Sequence, residues 1–227
     1  GKVHFNQSSD TGGGIFAKDS TVVLSETSSV SNNIGQWRTG GINLDHSLLT
    51  ISNEAAITGN IAMHNEAGGI KAENNSRVTM AGGSIASNSV EDGGKGGGIY
   101  ADGGSLDLSN GMIQLNKASE AGGGIYVTNA AITASNSSIN QNSGKDGAGI
   151  YSNNSSLQLS EGTIVQKNEA SLDGGGIYAV NNETSLTDSR ISDNISNTNG
   201  GGIFMRGNKL IVSNGEISSN TASNDGG

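Results

Sequence analysis

One short run returns throughout this chain. Gly122-Gly123-Gly124-Ile125-Tyr126 recurs as Gly12 to Phe16, Gly96 to Tyr100, Gly174 to Tyr178 and Gly200 to Phe204. A near copy stands at Gly147-Ala148-Gly149-Ile150-Tyr151, and shorter forms at Gly40-Gly41-Ile42 and Gly68-Gly69-Ile70. The Ile positions are 15, 42, 70, 99, 125, 150, 177 and 203, separated by 25 to 29 residues. So steady a period marks a solenoid, in which each repeat buries its apolar side against its neighbours.

Two further elements keep the same beat. The first alternates apolar and other residues: Val22 to Ser25, Leu49 to Ser52, Val78 to Ala81, Leu106 to Ser109, Ile132 to Ser135, Leu157 to Ser160, Thr184 to Thr187 and Leu210 to Ser213. Fifteen of its sixteen inward positions are apolar, with Thr184 the exception. Period-two alternation specifies a strand with one buried face. The second is Ile or Val, two variable residues, then Asn, giving Asn6, Asn33, Asn60, Asn88, Asn116, Asn142, Asn168, Asn194 and Asn220. In the sixth repeat Ile164 keeps the spacing from the Gly motif while Val165 keeps the spacing to Asn168, which predicts a bulge.

Three short strands per ~27-residue repeat, joined by turns rich in Gly, Asn, Ser and Asp, leave no helical stretch. Stacked strand on strand they form an all-β solenoid, a right-handed parallel β-helix of about eight coils and roughly 40 Å. Apolar residues make up only 32% of the chain, but 37 Gly stand in register with the repeat, so they belong to the structure. Proline is absent, as suits a chain whose backbone N–H groups are committed to strand ladders. Residues 1–227 read as a single β-helix segment of a longer array with no caps visible, since the chain opens in mid-repeat and ends on Gly226-Gly227.

The columns then acquire expected roles. The Ile of each Gly motif points into the coil, so its neighbour points out. That outward column reads Phe16, Asn43, Lys71, Tyr100, Tyr126, Tyr151, Tyr178 and Phe204. The Asn and Lys in it argue for exposure, because a buried Lys is costly. Tyr100 to Phe204 then form a continuous aromatic stripe, either a stacked support or a contact surface. The Asn column is expected to face inward and to stack amide on amide as a structural ladder.

Binding candidates are few. Four residues after successive Asn stand Asp10, Trp37, His64, Asp92, Glu120 and Asp146, which places the sole Trp beside a His on the next coil, with Arg38 adjacent. Trp37, Arg38 and His64 together suit a sugar or a protein epitope. An acidic column before the Ile, Asp10, Glu66, Glu120, Asp146, Asp173 and Asp225, reads as a solvated edge that discourages lateral aggregation. A Ca²⁺ ladder is the other reading, and the Asp-rich nonapeptide typical of one is missing.

Other chemistries find little support. Net charge is −9 with twelve scattered cations, so neither a nucleic-acid footprint nor a stripe for anionic lipid is present. No apolar run approaches the ~18 residues of a membrane span, and direct membrane insertion of this segment is not expected. There is no Cys, and His4, His46 and His64 lack metal-ligand spacing, so no cofactor or metal is implied. The turns are short and nearly constant, leaving no long loop to wall a catalytic groove, so the chain reads as a non-enzyme.

The paired Gly-Gly-x-Ile and Ile-x-x-Asn motifs resemble the repeats of chlamydial-type polymorphic outer-membrane proteins. In that family Gly-Gly-Ala-(Ile, Leu or Val) alternates with Phe-x-x-Asn along a β-helical passenger exported by an autotransporter barrel. Asn agrees at all nine sites here, while Gly stands where that family has Ala, and Ile or Val where it has Phe. The resemblance implies an adhesin-like stalk or passenger, extracellular or outer-membrane associated. Its partners would be a host or neighbouring-cell surface protein or glycan, and neighbouring β-helix segments of the same protein. The alternative is a carbohydrate-active β-helix that binds or cleaves polysaccharide.

Overall fold

The computed structural model describes every residue except Asn208. It is a parallel β-helix of about eight coils with three sheets and no helix among the described residues. The Gly-motif segments form an eight-stranded sheet, from Ile15–Lys18 to Ile203–Arg206. Like residues pair with like across it: Ile99 with Ile125, Tyr100 with Tyr126, Ala101 with Val127. Register is pinned because a one-residue slip would turn the Ile column out to solvent.

The other two sheets divide each coil differently from the three-strand reading. The alternating run and the Ile/Val-x-x stretch before the Asn belong to one 15-stranded sheet. In two coils a single strand carries both, Leu48–Thr58 and Arg77–Ala86; elsewhere a turn separates them, as between Ser105–Ser109 and Met112–Gln114. The third sheet is built mainly from two-residue strands after the Asn, such as Lys117–Ala118 and Glu169–Ala170. Segments that short carry no periodicity of their own, so only their stacking reveals them.

The bulge expected in the sixth coil is not there. Ser138, Ile139 and Asn140 pair with Ile164, Val165 and Gln166 without a slip. The extra residue is taken up in the preceding turn, where Glu161 and Gly162 have φ of 52° and 82°. A turn can absorb it without breaking ladder hydrogen bonds, whereas a bulge leaves a residue unpaired. The register shifts instead between Gly82 and Ser84, where a coil with a shorter corner meets one with a longer corner.

Inside the coil the core is continuous. Ile42, Ile70, Ile99, Ile125, Ile150 and Ile177 are fully buried, as are Leu49, Ile51, Leu106, Ile132 and Leu157 of the second sheet. Each such side chain contributes roughly 1.5–3 kcal/mol of transfer free energy. Thr184 occupies its inward place fully buried, and its hydroxyl finds no partner. In the last coil Leu210 and Val212 stay 38% and 45% exposed, since no further coil in the structure covers them.

The Asn residues stand at the corner between the second and third sheets and hold it with a repeated set of bonds. Asn116 Oδ1 accepts from the backbone N–H of Asn88 at 3.0 Å and from its Nδ2 at 3.0 Å. Asn116 Nδ2 donates to the Ile85 carbonyl at 2.9 Å and to Asn142 Oδ1 at 3.1 Å. The side-chain pairing runs from Asn6 through to Asn220. The third Gly of each triplet packs on this ladder: a Cβ on Gly124 would lie 2.6 Å from the Gly149 carbonyl oxygen and 3.0 Å from Asn142 Nδ2. The two motifs therefore depend on each other, because the amide occupies the space a side chain would need.

Candidate functional site

The functional candidates lie on the outward side of the Gly-motif sheet. The first Gly of the full triplets, at 12, 96, 122, 147, 174 and 200, has φ between 57° and 69°. This left-handed step folds the incoming turn back over the strand that follows. A Cβ on Gly122 would lie 2.6 Å from Tyr126 Cβ, so the turn rests directly on the outward side chain. Facing out of the coil is thus not the same as facing solvent.

That covering corrects the exposure expected for most of the column, though Phe16 at its start is 52% exposed. Its rings do stack: Tyr100–Tyr126, Tyr126–Tyr151, Tyr151–Tyr178 and Tyr178–Phe204 have centroids 5.2, 4.8, 4.9 and 4.9 Å apart, at interplanar angles of 6° to 19°. But Tyr126 is only 8% exposed, and Tyr100, Tyr151, Tyr178 and Phe204 are half-buried. Burial pushes the Tyr151 hydroxyl up to about 12 and raises those of Tyr100 and Tyr178. Lys95 Nζ sits 5.2 Å from the Tyr126 ring centre, a cation–π contact that adds to the cover.

Lys71 and Asn43, the two residues offered as signs of exposure, are both buried. The Lys71 ammonium is 2.8 Å from Glu66 Oε2 and 2.7 Å from Glu73 Oε2. Two carboxylates offset the desolvation that made a buried Lys look costly. Asn43 is fully buried and neither atom of its amide makes a hydrogen bond. The Thr39 hydroxyl, also fully buried, is unpaired as well.

Coils two and three differ from the rest at this corner. Where the others have the first Gly, they carry Thr39 and Ala67, and neither has positive φ. The turns there follow another path, and against them lies an open cleft of about 610 Å³. Its walls include Trp37, Arg38, Glu66, Lys71, Lys95 and Tyr100. The structure thereby brings Trp37 and Arg38 to the start of the aromatic column, two features far apart in sequence. Nothing in the repeat pattern groups Lys71, Glu66, Glu73 and Lys95, which the cleft brings together. The sequence signal for it was a lone Lys in a mainly aromatic column, next to the two shortened Gly motifs.

Trp37 is 54% exposed and stacks on His64, with ring centroids 4.8 Å apart at 29°. His64 Nδ1 is in turn 3.2 Å from Asp92 Oδ2. Arg38 Nε lies 3.7 Å from Asp10 Oδ1, at the surface. Tyr178 and Phe204 are several coils away and do not join the cleft.

The acidic column is not the uniformly solvated edge expected. Glu120 pairs with Lys145 at 3.2 Å. Asp146 Oδ1 accepts the backbone N–H of Asp173 at 3.1 Å, and burial raises the Asp146 carboxyl above its ordinary value. Asp173 Oδ1 accepts from the Thr198 hydroxyl at 2.5 Å and from the Asn199 N–H and amide at 2.9 and 2.8 Å. Burial pushes the Asp173 carboxyl up, but these donors outweigh it and hold it below the ordinary value. These carboxylates tie one turn to the next. Among the described residues, no three His, Asp or Glu converge to hold a metal ion.

Parallel coils, stacked like-on-like columns and a ladder of buried amides define a β-helical solenoid. Residues 2–164 match the family described as right handed beta helix region, and the chain belongs to that family. The family holds both enzymes and non-enzymes. Comparison with curated proteins and with solved structures finds no match.

Proposed function

We propose that this chain is a segment of a secreted or cell-surface β-helical protein, acting as a rigid stalk that makes attachment through the Trp37–Tyr100 cleft. The observation that carries this reading is the position of Trp37: the sole Trp stands 54% exposed at the mouth of a polar cleft on otherwise uniform coils. Exposed aromatics beside charged side chains are where binding energy concentrates in interfaces. The stacked Asn and Tyr columns suit a stalk, since each coil is locked to the next along its whole length. The partner would be a surface protein or glycan of a host or neighbouring cell, and further β-helix segments of the same protein could continue the stalk.

The reading is non-enzymatic. Glu66 and Glu73 are both committed to Lys71, and Asp10 faces Arg38. Glu66 and Glu73 therefore do not form a free pair of carboxylates of the kind acid–base cleavage needs. The resemblance to polymorphic outer-membrane repeats supports export to the surface. It stops short at the third Gly, because the Ala of that family would press its Cβ to 2.6 Å from a carbonyl oxygen at Gly124.

The test is attachment of the purified 227-residue chain to cultured cells, compared with Trp37→Ala. Loss of attachment with an unchanged melting curve supports the cleft as contact site. Equal attachment of both proteins would rule it out.

A further inference from the structure

We infer that the cleft takes a neutral pyranose unit of a glycan. This rests on the cleft being a contact site and narrows what it contacts. Charge is the first argument. The lining acids Asp10, Glu66 and Glu73 balance the lining cations Arg38, Lys71 and Lys95, three against three. The whole −9 of the chain therefore lies outside the cleft. A polyanion would approach against that field. Inside, it would meet Arg38 beside Asp10 and Lys71 clamped by two carboxylates, with Lys95 the one lining cation without an ion pair among the described residues. A cationic ligand would meet acids that already have partners.

The ligand that fits has a flat C–H face and hydroxyls that both donate and accept. The carboxylates at the wall accept, Arg38 and Lys95 donate, and the Asn65 amide does both. Trp37 supplies the apolar face and is set in place beforehand: His64 stacks against it and Asp92 holds His64. An aromatic platform fixed before binding loses little side-chain freedom when the ligand arrives.

Two buried polar groups lie behind the same corner. Asn43 pairs in register with Lys71 on the adjacent strand, and its buried amide is wholly unpaired. Thr39, two residues from Trp37, has a buried unpaired hydroxyl. Both groups are fully enclosed and neither lines the cleft, so they lie behind its wall and do not reach a ligand there. The lining itself offers donors and acceptors of both kinds with its charges balanced, which is what a sugar would match.

The chain's single Trp makes the test direct. Trp37 emission is followed while the intact 227-residue protein is titrated with uncharged gluco-, manno- and galacto-tetrasaccharides, and with tetragalacturonate. The expected result is saturable binding of at least one neutral series, preferred about tenfold over the acidic one. Saturation-transfer NMR on Trp37→Ala, which lacks the Trp signal, is expected to show that series weakened at least about tenfold. Leu172→Ala, on the surface and outside the cleft, is expected to bind as the parent does. Tighter binding of tetragalacturonate, or a bound neutral sugar unaffected by Trp37→Ala, overturns the inference. If no saccharide binds while Trp37→Ala still abolishes cell attachment, the glycan inference fails and the contact-site reading stands. If Trp37→Ala changes neither, both fail.

Discussion

Replacing Asn116 by Ala tests whether the Asn column holds the coils together. The side chain makes four hydrogen bonds, two accepted from Asn88 and two donated, to the Ile85 carbonyl and to Asn142. Alanine leaves the buried Asn88 N–H with no acceptor, removes one of two partners from Asn88 Nδ2, and strips the side-chain donor from Ile85. Asn142 Oδ1 keeps the Asn116 N–H at 3.0 Å. At ~1–3 kcal/mol per buried orphan, and counting two such groups, the loss is about 2–6 kcal/mol. The right control is Asn110→Gly. Asn110 has φ of 55°, so Ala there would add left-handed strain unrelated to hydrogen bonding. Gly removes two exposed bonds, one accepted from Asn136 Nδ2 at 2.7 Å and one donated to Ser109 Oγ at 3.1 Å, and the cost should stay below about 1 kcal/mol. Chemical denaturation gives the two stabilities. Native-state hydrogen exchange should show protection lost first at Asn88, because a solenoid opens locally between coils. If Asn116→Ala costs no more than Asn110→Gly, the amides are not a supporting ladder.

Three other outcomes follow from the outward column. Lys71→Met should destabilise by about 3–5 kcal/mol in denaturant melts, as it strands two carboxylates, and adding Glu66→Gln and Glu73→Gln should restore most of the loss; a cost under about 1 kcal/mol for the single change would refute the buried triad. Tyr126→Ala should cost about 3 kcal/mol while Tyr126→Phe costs under about 1, since ring stacking rather than the hydroxyl supports the column; equal melting shifts would point to the hydroxyl instead. Stability should fall in alkali. The folded-state values of Tyr100, Tyr151 and Tyr178 lie above the free-tyrosine value of 10.0, so the neutral rings stabilise fully below pH 10. For Tyr151 that contribution is lost as pH rises through about 12. Melting temperature followed alongside tyrosinate absorbance checks it, and a flat profile from neutral pH to pH 12 would contradict the burial of these rings.

Much of the architecture was legible because a solenoid writes its fold into a repeat. The Ile positions 15 to 203 located one sheet, and the alternating runs located another. The nine Asn marked a corner that every coil shares. The third sheet was not legible, because two residues such as Lys117–Ala118 are too few to carry a period. The extra residue near Ile164 was legible as a length mismatch. Its placement in the Glu161–Gly162 turn was not, since that depends on what the neighbouring strands keep paired.

The candidate site divides the same way. The adjacency of Trp37 and His64 could be counted from the repeat, and the stacking of Tyr100 to Phe204 likewise. The burial of Lys71, Asn43 and Tyr126 could not. Alternation along a strand states which side chains leave the coil, a consequence of backbone geometry alone. What lies over them is set by the path of a turn, and that path depends on left-handed glycines, on carboxylates such as Asp173 bonding to the next turn, and on contacts between residues a full coil apart. The sequence by itself therefore determined the coil, its inside and its outside. Tertiary structure alone decided which outward residues meet solvent, and where, at Thr39 and Ala67, the turns leave the cleft open.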